Sequence, residues 1–347
     1  MKLHYAGAAG EGYGWGVCNA NLLRALGDLV ELTGPDQAEA IFMPLAGDDL
    51  DPSTPARARI NVAYTFFESP LGPRAPDNAA TYDIVFAGSS WCLERMREVG
   101  IANGRLLMQG VDHAIFRPSP RARDGSFRIF SGGKFEWRKG QDLVIAAVAA
   151  FRQRHPEANA HLVCAWHNLW AELIWGMGAS PHLAFDGVGG GNQAEIYANL
   201  MKANGLPEAA FTILPQLGQA ELARAMAQTD CGLFPNRCEG GTNLVLMEYL
   251  ACGRLAVANL LTGHADLAGA DIVPIDAIEG EAHWAWQELS DVVAALELAY
   301  RRHLAGDSAP NVAVPQSWTW ERAARVIVDA LSDLIRRHPG VERPTIR

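Results

Sequence analysis

What most restricts the fold of this chain is a rhythm. Short runs rich in β-branched and aromatic residues recur along it: Lys2 to Ala6, Ala40 to Pro44, Asn61 to Phe66, Ile84 to Ala87, Arg128 to Ser131, His161 to Ala165, Phe211 to Leu214, Gly232 to Pro235 and Leu255 to Ala258. Between them lie longer stretches with helical periodicity, such as Gln141 to Arg154, where Val144, Ala147, Val148 and Phe151 fall on one face. Strands separated by helices pair in parallel, with the helices as crossovers, so the chain reads as an α/β protein.

At 347 residues the chain has room for about two domains with separate cores. The clearest break is the segment from Phe116 to Gly125, rich in proline and arginine, after which the strand–helix pattern restarts. This gives two doubly wound, Rossmann-like domains, 1–118 and 119–316, with a final segment 317–340 packing back on the first. That segment holds a helix from Thr319 to His338, with Ala323, Val326, Ile327, Ala330, Leu331 and Leu334 on one face. Val341 to Arg347 reads as a frayed tail. A ligand is expected in a cleft between the two domains, outside the carboxyl ends of the strands.

Composition narrows the partners. With 49% hydrophobic and 20% charged residues the chain is neither disordered nor low in complexity. A net charge of −10 repels nucleic acid and anionic lipid, so a phosphate-bearing ligand must be held by local donors. The longest apolar run, Leu143 to Phe151, is nine residues, well short of the ~20 that span a bilayer. The N-terminus lacks the apolar stretch of a signal peptide, and the expected location is cytoplasmic, with peripheral membrane contact left open. Six cysteines without a C-x-x-C pair read as free buried thiols, not as metal ligands.

Chemistry concentrates between Phe234 and Gly253. A strand ends at Phe234, Gly240 and Gly241 turn the chain, Thr242 or Asn243 can cap, and a helix runs to Gly253. The backbone N–H groups from Gly241 to Leu244 converge on one spot, an anion site suited to a diphosphate. About one turn further, Glu248 shares the face of Leu244, from which a carboxylate can accept from two ribose hydroxyls. Taken alone, the same pattern also describes an ordinary capped helix with a solvated carboxylate.

Two further segments occur in order: Gly110-Val111-Asp112 through Phe116 and Pro118, and Ile129 through Gly133, Lys134, Lys139 and Gly140. Together the three motifs resemble those of glycosyltransferase family 4 (glycosyl transferases group 1), retaining enzymes of the GT-B fold that use nucleotide-sugar donors. The resemblance implies that Glu239 lies near the donor sugar and Glu248 binds the ribose. It implies too that Lys134 and Lys139 neutralise the pyrophosphate, with Gly133, Gly240, Gly241, Thr242, Asn243 and Leu244 completing the donor site. Eight residues separate Glu239 from Glu248, one more than the family's usual spacing. Lys134 replaces the commoner Arg, keeping the charge but losing the bidentate fork. Glu68 follows an N-terminal strand where members of the family often carry His.

The loop from Gly7 to Val17 holds Gly10, Gly12, Gly14 and Gly16, yet no register satisfies G-x-G-x-x-G, which argues against a nicotinamide dehydrogenase. By resemblance this loop approaches the acceptor and donor sugar, giving roles to Gly12, Gly14 and Trp15; a tight βα turn is the plainer reading. His113 and His167 are placed to meet donor phosphate, although a histidine beside an apolar strand is more often structural. Trp137 and Trp166 can stack on base or sugar or simply pack. Asp49-Leu50-Asp51 matches a metal-binding D-x-D, against a solvated acidic turn.

The combined expectation is a metal-independent, cofactor-free transferase. It moves a hexose from a nucleoside diphosphate sugar to a glycan, lipid-linked or small-molecule acceptor with retention. The alternatives are a non-catalytic nucleotide-sugar-binding or assembly protein on the same fold, and a metal-dependent transferase using Asp49 and Asp51.

Overall fold

The structure, a computed structural model, describes residues 1–10, 13–52, 55, 57–121, 124–185, 189–306 and 313–337. Its chain divides into two compact units. One gathers Met1–Asp112, Glu239–Leu244 and the described residues from Trp318 onward; the other comprises His113–Cys238 and Val245–Ser317. The short run Glu239–Leu244, which sequence places inside 119–316, thus groups by its contacts with the first unit.

In the first unit, β1 (Lys2–Tyr5), α1 (Gly14–Gly27), β2 (Glu31–Leu32), β3 (Ala40–Ala46), β4 (Asp51–Pro52), β5 (Ile60–Thr65), α2 (Ala75–Ala80), β6 (Ile84–Ala87), α3 (Ser90–Glu98) and β7 (Gly104–Leu106) follow in turn. The strands order as β2-β1-β3-β5-β6-β7, all parallel, with β4 antiparallel at the end of β3. Burial of nearly every residue of β3, β5 and β6 explains why they read as continuous apolar runs without alternation.

In the second unit come β8 (Arg128–Gly133), α4 (Gln141–Arg154), β9 (His161–Trp166), α5 (Gln193–Ala203), β10 (Phe211–Ile213), α6 (Gln219–Ala227), β11 (Cys231–Phe234), α7 (Leu244–Ala251), β12 (Leu255–Ala258), β13 (Ile272–Pro274), a hairpin of β14 (Ile278–Glu279) and β15 (Ala285–Trp286), α8 (Leu289–Ala305) and α9 (Ala313–Gln316). The parallel order is β10-β9-β8-β11-β12-β13. Strand succession reverses between β8 and β11, and the loops leaving those two strands flank the switch point where open α/β sheets take their ligands.

The last described element is α10 (Trp320–Arg337), which packs along α1. Ala323, Ala324, Ile327, Leu331 and Leu334 enter the first unit's core beside Leu22, Leu26 and Phe42. The way back is fitted by Gly110, where a Cβ would sit 2.2 Å from the Trp320 amide nitrogen. Val111 then bridges Thr319, and the Asp112 carboxylate accepts from Arg24 at 2.8 Å. The Gly110-Val111-Asp112 motif therefore has a structural job in this chain: it lets the returning helix approach and ties it to α1.

Candidate functional site

The second unit holds both motif lysines at the switch point. Gly133 ends β8 with φ 114, a backbone conformation that favours glycine, and turns Lys134 out of the sheet. A 3-10 turn, Trp137–Lys139, closes on Gly140 at φ 74, where a Cβ would lie 2.1 Å from the Pro235 carbonyl oxygen. Lys134 and Lys139 thus bracket one tight turn that runs directly into the N-terminus of α4. A turn carrying two lysines that leads into a helix N-terminus is a region suited to an anion. Both lysines are half-buried, and Lys134 Nζ stands 5.5 Å above the Trp170 ring.

That turn is locked to the loop after β11 by residues the sequence did not single out. Arg237 forms a bidentate pair with Asp142 at 2.8 and 2.7 Å, and its guanidinium also donates to the Trp137 carbonyl and lies 4.3 Å from the Trp137 ring centre. Both partners are buried, and Ser180 donates its hydroxyl to the same carboxylate at 2.6 Å. The Arg237 amide donates to the Arg138 carbonyl, and the Arg138 guanidinium donates to the Cys238 carbonyl at 2.7 Å. Breaking one side of such a buried pair costs about 3–5 kcal/mol. Asn259 continues the lock, donating to the Asn236 carbonyl and to Gln287, which donates to the Pro235 carbonyl.

Glu248 lies on α7 and is buried rather than solvated. Removal from water pushes its carboxyl up to about 8, partly opposed by a hydrogen bond from Gln219 at the start of α6.

Glu239–Leu244 is held within the first unit. The Gly240 carbonyl accepts from Ser89 Oγ at 2.7 Å and from Cys92 Sγ at 2.9 Å, while Ser89 also caps α3 by accepting from the Cys92 amide. A Cβ on Gly240 would fall 2.2 Å from the Phe67 carbonyl oxygen, and one on Gly241 would fall 3.2 Å from Gln109 Oε1. Asn243 adopts φ 59, and Glu239, Thr242 and Asn243 are buried. The glycine pair is therefore set by close backbone approach as much as by the turn itself.

The remaining candidates are spread over both units. In the first, Trp15 stacks on Phe66 with centroids 3.8 Å apart and meets Tyr64 edge-on, while Gly14 opens α1 with nothing near its Cβ position. Gly12 lies outside the described residues. Glu68 is half-buried in the loop after β5. In the second, His113 is half-buried just past Asp112, and the His167 amide donates to the Gly133 carbonyl.

Trp166 is a core residue, its indole donating to Ser131 Oγ, so the stacking option fails for it because the ring has no free face. Trp137 supports Arg237 instead of standing open. Asp49 accepts from the Arg74 guanidinium at 2.8 Å and Asp51 at 3.3 Å, with Asn78 donating to Asp51. The D-x-D is thus already matched by a cation of the protein's own. All six cysteines are buried, and none is in a disulfide among the described residues. Among the described residues no helix is long and apolar enough to cross a membrane.

Two parallel-sheet, Rossmann-like units of this order are the architecture of the GT-B glycosyltransferases. The sequence model of the family Glycosyl transferases group 1 matches residues 112–297, and the chain belongs to that family. It is similar to D-inositol 3-phosphate glycosyltransferase of Pseudarthrobacter chlorophenolicus, with 25% identity over 249 residues, covering 68% of this chain and 52% of that one. The chain thus spans about half the length of the curated relative it matches. It shares its fold with Alr3699/HepE of Anabaena, solved with UDP and glucose, at 14% identity and TM-score 0.64, covering 96% of this chain and 100% of that one. It shares it also with sucrose-phosphate synthase of Thermosynechococcus elongatus, at 15% identity and TM-score 0.62, covering 87% and 75%.

Proposed function

We propose that this chain is a retaining glycosyltransferase of family 4 that moves a hexose from a nucleoside diphosphate sugar to a glycan, lipid-linked or small-molecule acceptor. The observation that carries the reading is the pair Lys134 and Lys139 around one turn at the switch point of the second unit's sheet, leading into α4. An anion there meets two ammonium groups and a helix N-terminus, the arrangement that stabilises a departing diphosphate. Glu248, buried on α7, accepts from the ribose hydroxyls of the same nucleotide.

In the reaction the bond between the anomeric carbon and the diphosphate oxygen breaks as the acceptor oxygen bonds to that carbon from the same face. The acceptor's proton passes to the leaving phosphate oxygen. Negative charge grows on the diphosphate, where Lys134 and Lys139 answer it, and Glu239 orients and stabilises the oxocarbenium-like sugar. This assignment calls for no divalent cation: the counter-charge is supplied by side chains, and Asp49 and Asp51 are engaged with Arg74. Gly133, Gly240, Gly241, Thr242, Asn243 and Leu244 complete the donor side, and Gly12, Gly14, Trp15, Glu68, His113 and His167 serve the sugar or acceptor side.

Support for a uridine nucleotide comes from the similar Anabaena protein, solved with UDP-glucose. Thermal stability measured with UDP, GDP, ADP and dTDP, each with EDTA and with Mg²⁺, tests the reading. A ligand at ~100 times its Kd adds roughly 2.7 kcal/mol to stability. One diphosphate, UDP in the first instance, is expected to raise Tm equally with EDTA. A shift that needs Mg²⁺ moves the site to Asp49 and Asp51, and no shift with any of the four removes the donor assignment. Consumption of the matching nucleotide sugar with an acceptor then separates a transferase from a binding protein.

A further inference from the structure

Three of the large apolar side chains left half exposed or more fall within one short stretch after β9: Leu169, Trp170 and Trp175, at 50, 50 and 56%. Such exposure beside the ligand-binding edge of a sheet calls for a reason. The start of this stretch is firmly held. Asn168, buried, accepts from the Phe135 amide at 2.7 Å and donates to the Phe135 carbonyl at 2.8 Å. Gln193 at the start of α5 accepts from the Asn168 amide and donates to its carbonyl. Trp170 is thereby presented next to the β8 loop, with Lys134 Nζ 5.5 Å above its ring.

We propose that Trp170 is a positioning residue for Lys134, holding its ammonium over the strand ends so that it meets the donor diphosphate without first being ordered. A lysine is a compact charge on a flexible stem, with no fork to fix its direction, and binding an anion ordinarily costs it rotamer freedom. An indole face attracts the ammonium through its quadrupole and approaches it from one side only. The aromatic face also replaces part of the water shell that the anion must otherwise strip. This inference rests on the reading that Lys134 contacts the donor diphosphate.

The test measures the affinity of the full chain for inorganic pyrophosphate, for the nucleoside diphosphate that stabilises it most, and for the parent nucleoside. For Trp170→Ala, pyrophosphate and diphosphate binding is expected to weaken about two- to fivefold, the size of an exposed cation–π contact, with the nucleoside unaffected. Trp170→Phe should restore most of the loss. In the Lys134→Ala background, Trp170→Ala should add nothing further, and Tm of the single variant should stay near that of the parent. If Lys134→Ala weakens diphosphate binding but Trp170→Ala does not, or the two losses add, the positioning role is wrong while the donor reading stands. Equal weakening of the nucleoside overturns it in favour of direct base stacking. If Lys134→Ala leaves binding unchanged, or no nucleotide binds, the donor reading itself fails and the inference with it.

Discussion

Single side chains set the chemistry. Lys139 closes the turn between Lys134 and Gly140, where its neighbour Arg138 is engaged with Glu136 and the Cys238 carbonyl. Lys139→Ala should lose most of kcat and weaken nucleotide binding; steady-state kinetics that match the parent would take Lys139 out of the mechanism.

Glu248 gives a prediction with a definite sign. Burial lifts its carboxyl from an ordinary 4.5 to about 8, so the folded chain keeps a proton that the unfolded chain releases. Stability is then fully present below the lower value and declines as pH rises through the upper one. Tm of the ligand-free chain should fall across that window, and Glu248→Gln should flatten the fall. Parallel profiles would mean the carboxyl is ionised in the folded state. Because ribose hydroxyls donate to a carboxylate, donor affinity should rise as pH passes the upper value, and Glu248→Ala should raise donor KM sharply.

Elements hold those side chains in place. Gly140 ends the turn between β8 and α4, combining φ 74 with a Cβ position 2.1 Å from a backbone oxygen. Gly140→Ala must displace either the turn or Pro235, and transferase activity is expected to drop more than tenfold. A variant with unaltered kinetics would show that the turn's position does not matter to catalysis.

Much at this scale was legible in advance. All nine strands inferred from sequence are present, and Gln141 to Arg154 is helical over that whole span. Buried parallel strands and amphipathic crossovers write their periods directly into the chain. The sequence does not mark β2 and β7, which are short and mostly exposed and so carry no apolar run, or β13, whose three residues are too few to show a period. Arg237 and Asp142 were missed for another reason: their pairing spans residues far apart in sequence, and a charged residue in a loop or first helical turn looks like any solvated one until the fold buries it. The glycine pair was read as a turn, and its contacts with Phe67, Ser89 and Gln109 had no local signature.

At the scale of the whole molecule, α10 is part of the first unit's interior despite ending the described chain. Ile327 is fully buried there, so Ile327→Ala should cost about 2–5 kcal/mol. Denaturant unfolding should record that loss. A change below ~0.5 kcal/mol, the size typical of surface sites, would place α10 on the outside.

The same arrangement bears on how such enzymes can be recombined. The first unit is assembled from three stretches of chain: the N-terminal part, a six-residue run borrowed from the middle and the returning helix. A chimaera that swaps only the leading 112 residues for those of a relative would inherit a foreign partner for α10 and a foreign seat for Gly240. Shuffling of halves should therefore give a folded first unit only when all three stretches travel together, and selection on any one of them is felt by the other two.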